Sequence, residues 1–147
     1  MRISTKGRYG LRILLDVALH SQEKPRMIKE IAQAQQMSEK YISRLVIDLR
    51  KGGMIASVRG AQGGFFLAKK PKDISLLDTL ETLEGPINIV ECVRTKNVCS
   101  EQNSCSARQI WEDVNERLRE SLNQYSLQDV IDKQLGFSGQ TDIEYCV

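Results

Sequence analysis

"SEKYISRLVIDLRKGGMIASVRGAQGGFFL", residues Ser38 to Leu67, decides how this 147-residue chain folds. Ile42, Leu45, Val46 and Leu49 recur at three- and four-residue steps, which places them on one stripe of a helix. Ser38 stands just before that stripe, where its hydroxyl can cap free backbone amides, and the Gly52-Gly53 pair supplies a stop. Beyond it "MIASV" reads as a β-branched strand, "RGAQGG" as a glycine-rich turn and "FFLA" as a returning strand, together a hairpin.

Upstream, after the break at Pro25, Ile28, Ile31 and Ala32 predict a short helix from Met27 to Gln35, with Gln36-Met37 as the turn that ends it. Two short helices joined by a tight turn predict a helix-turn-helix, and the second carries Lys40, Tyr41, Ser43 and Arg44 away from its apolar stripe. Tyr41 has two readings of equal weight: a ring packed at the helix, or a phosphate contact beside Lys40. From Arg8 to Ser21, Leu11, Leu14, Leu15, Ala18 and Leu19 predict a core-forming helix with Arg8, Arg12 and Asp16 on another face. A helix-turn-helix followed by a hairpin predicts a winged helix. Arg59 falls at the hairpin tip, where a basic side chain among glycines can enter a minor groove. Ser38, Lys40, Tyr41, Ser43 and Arg44 are expected at the major groove or its phosphates, with Arg2, Lys6 and Arg8 anchoring the backbone.

Downstream of Pro71, Ser75 and Asp78 have the spacing of a capping box and open the helix "LLDTLETLEG", which Gly85-Pro86 ends. Ile87 to Ser104 has no sustained periodicity and reads as a loop. From Cys105 onward Ile110, Trp111, Val114, Leu118, Leu122 and Tyr125 recur at helical spacing over roughly 30 Å. That stripe needs a partner. A further capped helix from Ser126 through Val130, Ile131 and Leu135 to Gly136 is expected to cover part of it, and a second copy of the chain the rest. The expectation is a homodimer on double-stranded DNA, with a palindromic operator whose half-sites lie about one helical turn or a multiple apart.

Composition narrows the function classes. The net charge is only +2, but Lys and Arg outnumber Asp and Glu up to Lys72 and the remainder is acidic, as expected of a basic binding module with an acidic partner half. The first twenty residues carry Arg2, Lys6, Arg8, Arg12 and Asp16 and lack the apolar core of a secretory signal. No apolar run approaches membrane-spanning length. The expectation is a cytoplasmic protein whose thiols stay reduced. No Ser-His-Asp set, paired histidines or phosphate-binding glycine loop is present, which argues against an enzyme. His20 reads as a surface side chain at a helix end and Trp111 as a core or dimer anchor.

Six residues separate Cys92 from Cys99 and five separate Cys99 from Cys105. Structural zinc sites usually contain pairs two to four residues apart, and no gap here is that short. A disulfide leaves one of three thiols over and is opposed by a reducing compartment. A redox thiol needs a lowered pKa, for which Arg94, Lys96 and Arg108 are near in sequence. An iron–sulfur cluster takes soft thiolate donors. On the residues alone these alternatives stay open.

"MRISTKGRYGLR", the Ser38 to Leu67 stretch with "SVRGAQGGF" at its wing, and the cysteine segment before "IWEDV" together resemble the iron–sulfur cluster regulators, the IscR-like winged-helix transcription factors, over about residues 1 to 135. The resemblance implies a dimeric bacterial repressor or activator with a [2Fe-2S] cluster held by Cys92, Cys99 and Cys105. Where the family's regulator of cluster synthesis has a histidine three positions after its last cysteine, this chain has Arg108. The fourth donor is then expected from Cys146, Glu91, Glu101 or a group of the partner subunit. Relatives that govern cysteine metabolism share the wing without a cluster, so a cluster-free regulator controlled by a partner protein or thiol oxidation is the alternative, and an iron–sulfur electron carrier the second. These readings give a mainly α fold with a small β-hairpin wing: a winged-helix domain at 1–72, a cluster-binding loop and dimerisation helices at 73–137, and a flexible tail at 138–147.

Overall fold

The computed structural model describes residues 2–95, 98–101 and 103–138. Helix α1, Thr5–His20, starts three residues before the sequence-based expectation, because Ser4 caps it by accepting from the Lys6 N–H at 3.1 Å. Its first turns face α4 through buried Gly7 and Gly10, which hydrophobic periodicity cannot register. Helix α2, Ile28–Gln35, begins where the Glu30 carboxylate accepts from the Met27 N–H at 2.9 Å, and ends at Gln36, which takes a left-handed φ of 54°. That single left-handed residue makes the turn tight enough for α3, Glu39–Lys51, to pack straight back on α2.

Strands β1, Ile55–Val58, and β2, Gly64–Leu67, pair antiparallel with Ile55 opposite Leu67 and Val58 opposite Gly64. Arg26, in the link between α1 and α2, adds an antiparallel bridge to Phe65 on the outer edge of β2. After a 3₁₀ turn at Pro71–Asp73 comes α4, Leu76–Glu84, capped by Ser75 accepting from the Asp78 N–H at 3.0 Å. The stretch expected to be a loop contains one short helix, α5, Glu91–Arg94. Helix α6 spans Ser106–Gln124 and α7 spans Leu127–Ser138. The tail expected from residue 138, with Cys146, lies outside the described residues beyond Ser138, as does Lys96. Among the described residues no helix is long and apolar enough to cross a membrane.

One main core joins Ile13, Leu14 and Val17 of α1, Ile31 of α2, the Ile42, Leu45, Val46 and Leu49 stripe of α3, Ile55 of β1, and Leu127 and Ile131 of α7. Helix α7 therefore does not serve as the cover expected for α6. It packs on α1 and the 3₁₀ turn, and the Leu76 N–H to Tyr125 and Leu127 N–H to Ile74 carbonyl bonds, both 2.8 Å, stitch its start to the start of α4. Helix α4 covers α6 instead: Leu77, Leu80 and Ile87 form a second cluster with Leu118 and Leu122. The other end of the predicted stripe, Ile110, Trp111 and Val114, stays exposed.

Candidate nucleic-acid interface and cysteine segment

Burying one stripe of α3 forces its other face outward. Lys40 and Arg44 are exposed, Ser43 is half-buried, and Ser38 spends its side-chain oxygen as the cap, accepting from the Tyr41 N–H at 3.2 Å. Tyr41 is half-buried against the core, its ring edge-on to Tyr9 at 6.3 Å between centroids. The ring is thus packed, as one of the two readings has it, while its half-buried state leaves the phosphate reading open to test. The Arg12 guanidinium lies 5.0 Å from the Tyr9 ring centre, which fixes a cation from α1 beside the start of α3.

The wing tip presents Arg59 to solvent, followed by Gly60 at a φ of 119° that a side chain would disfavour. Arg50, in the last turn of α3, donates to the Ser57 hydroxyl of β1 at 3.3 Å and ties helix to wing. Arg59, Arg50 and Ser57 line one groove with Met27 and Phe65. Arg2 and Arg8 line a separate concavity with Ile3, Ser4 and Thr5, and Lys6 is exposed nearby in sequence. The start of α1 is held in place by the Ser4 N–H donating to Glu84 at 2.9 Å. Arg12 and Arg50 were not among the expected contacts. Arg50 was recoverable as a basic residue closing the recognition helix, whereas the placing of Arg12 depends on a ring contact that no local pattern shows. Up to Lys72 the chain has fifteen Lys and Arg against five Asp and Glu, and beyond it six against fourteen. A surface with that bias attracts a polyanion.

In the cysteine segment Cys92 lies half-buried on α5, Cys99 is exposed, and Cys105 is the half-buried residue that precedes α6; all three are free thiols. Helix α5 packs on α6, so the outer two cysteines sit on adjoining elements. Among the described residues no three Cys, His, Asp or Glu side chains are grouped as a metal ion needs. The donors fit an iron–sulfur cluster in kind, since three cysteine sulfurs occupy one short segment. Two of the expected fourth donors have local partners: Glu91 accepts from the Thr95 hydroxyl at 3.0 Å, and Glu101 from the Ser104 hydroxyl at 3.4 Å. Arg108 pairs with Glu112 at 3.0 Å.

The segment between α4 and α5 is clamped onto α6. Buried Asn115 accepts from the Ile89 N–H at 3.0 Å and donates to the Asn88 side chain at 3.3 Å. Glu81 of α4 accepts from the Ile87 N–H at 3.0 Å and forms a forked pair with Arg119 of α6. Partial burial pushes the Glu81 carboxyl up, but the Arg119 and Ile87 hydrogen bonds outweigh it and hold the group below the usual carboxylate range.

The chain matches the Rrf2 family, described as iron-dependent transcriptional regulators, over residues 3–133. It is 40% identical over 131 residues to protein rrf2 of Nitratidesulfovibrio vulgaris, covering 89% of this chain and 87% of that protein. The solved structure of CymR, the global cysteine regulator of B. subtilis, is similar with a TM-score of 0.74 at 36% identity, covering 90% of this chain and 98% of that one. That of T. potens IscR gives 0.73 at 34% identity, covering 99% and 95%.

Proposed function

Because the chain belongs to the Rrf2 family of transcriptional regulators, we propose that it is a cytoplasmic homodimer that binds a palindromic DNA operator and changes its grip when the cysteine segment holds a [2Fe-2S] cluster. The observation that carries the DNA half is the α3 and wing arrangement: a capped helix with its apolar stripe wholly buried, basic side chains on the far face, and Arg59 and Arg50 on one groove beside it. Lys40, Ser43 and Arg44 meet base edges or phosphates in the major groove, with Ser38 and Tyr41 at the helix start. Arg59 enters the minor groove, and Arg2, Lys6 and Arg8 contact the backbone.

Cys92, Cys99 and Cys105 would hold the cluster, which supplies a redox-labile, oxygen-sensitive centre when bound. The chain's own residues provide the connection to DNA. Loop order at Cys92 and Cys105 bears on α5 and the start of α6. Glu81 and Arg119 lock α6 to α4, Asn115 clamps the segment before α5 onto α6, and α4 packs on both α1 and α3. A shift of α6 thus reaches the recognition helix through packed elements. Exposed Ile110, Trp111 and Val114 at the same end of α6 form the seam for the second protomer.

A second reading, a cluster-free regulator of cysteine metabolism governed by thiol oxidation or a partner protein, is favoured by the exposure of the Cys99 thiol. One experiment divides the two. Protein purified without oxygen is assayed for iron, sulfide and visible absorption, then for mobility shift of a promoter fragment before and after cluster removal. A coloured protein with about two irons and two sulfides per protomer, whose DNA affinity changes on removal, supports the first reading. A colourless protein that binds the fragment supports the second.

A further inference from the structure

Asp16 is a carboxylate in the middle of α1 with its side chain only 5% exposed, and it is not among the side chains proposed to meet DNA. Its Oδ2 accepts from the Arg26 Nε at 2.9 Å and its Oδ1 from Nη2 at 3.3 Å, a forked pair that holds Arg26 at 17% exposure. The Arg26 backbone is the bridge on β2: its N–H donates to the Phe65 carbonyl at 2.8 Å and its carbonyl accepts from the Phe65 N–H at 2.9 Å. Next to Phe65, Gly64 lies so close that a Cβ there would stand 2.7 Å from the Arg26 carbonyl oxygen. Gly64 is paired with Val58, the residue before Arg59.

A two-stranded hairpin is a weak platform, since two strands alone are marginal in water. Here the ion pair anchors a third backbone segment to the rigid core helix, and that segment carries the outer strand of the hairpin. We propose that Asp16 and Arg26 are positioning residues for the wing: the buried pair sets the direction in which Arg59 is presented to DNA. This rests on the reading of Arg59 as a DNA contact. A forked Arg–carboxylate pair suits the task because its two parallel hydrogen bonds fix angle as well as distance.

A double-mutant cycle tests it. The probe is the tightest duplex recovered by the wild-type protein from a random-sequence library, and affinity is read by fluorescence anisotropy at fixed salt. Asp16→Asn keeps shape and an acceptor while removing the charge. Gly64→Ala forces the strand and the Arg26 backbone apart while leaving both side chains of the pair chemically intact, and serves in place of Asp16→Asn if that variant does not fold. Arg59→Ala is expected to weaken binding about tenfold, and each positioning variant about fivefold. In the Arg59→Ala background, Asp16→Asn and Gly64→Ala are expected to add less than about twofold. Losses that multiply, or an Asp16→Asn or Gly64→Ala protein that binds like wild type, overturn the proposal while leaving Arg59 as a contact. An Arg59→Ala protein with unchanged affinity overturns the wing reading itself, and the proposal with it.

Discussion

Replacing Val114 by Glu puts the α6 seam to the test. Ile110, Trp111 and Val114 remain 62%, 44% and 44% exposed in the single chain. Full burial of such a side chain stabilises by about 1.5–3 kcal/mol, so covering the exposed remainder gives about 1–2 kcal/mol for Ile110 and about 1 for each of the others. Two-fold symmetry doubles the sum to roughly 6–8 kcal/mol. That is the same order as the ~4–15 kcal/mol lost in translational and rotational freedom on association. A dimer closed on this seam is therefore held with little surplus, and one altered residue counts twice. Glu at 114 removes about 1 kcal/mol from each protomer before the cost of desolvating two carboxylates is added, so the dimer Kd rises at least about 30-fold. Sedimentation equilibrium reads the Kd, and the slope of log affinity against log salt on operator DNA is expected to fall to about half as one protomer replaces two. A Val114→Glu protein that sediments as the wild-type dimer with the same Kd would refute the seam.

Two further outcomes follow from the packing. The Glu81 carboxyl has its pKa depressed in the folded state, so the stability it contributes is present above the ordinary Glu value and is lost as pH falls through the folded value. Melting curves of wild type and Glu81→Gln should differ by about 1 kcal/mol near neutrality, discounted because the pair is partly exposed, and converge in acid; a gap that widens in acid contradicts the assignment. Leu127→Ala empties a buried position in the main core and is expected to cost about 2–5 kcal/mol by denaturant titration. A cost under about 1 kcal/mol would show that α7 is not part of that core.

The helix-turn-helix and wing were legible because their signals are local. A serine cap, a four-residue apolar stripe, a glycine stop and a hairpin on a glycine-rich turn each sit within one short window, and Ser38, Gly52 and Gly53 fall where the sequence places them. The start of α1 was not, since Gly7 and Gly10 make their contacts by being small. The stripe on α6 was legible as apolar but its cover was not: periodicity says that Leu118 and Leu122 need a partner, and only long-range packing makes that partner α4 and frees α7 for the core. Asn115 and Glu81 carry no apolar signal, yet they fasten the segment before the cysteines to α6. The spacing of Cys92, Cys99 and Cys105 left several chemistries open, because sequence distance fixes no side-chain distance in an irregular segment; among the described residues no three metal-ligating side chains are grouped.

Closure of the main core by Leu127 and Ile131 has a consequence for synthesis. Every side chain proposed to meet DNA is synthesised by Arg59, while Leu127 and Ile131, which help fill the core beneath α1, follow well after it. A nascent or prematurely stopped chain thus exposes that apolar slot and is handed to chaperones and proteases before it can compete for promoters. Nonsense alleles upstream of residue 127 should accordingly behave as simple nulls in a cell that also carries the intact copy.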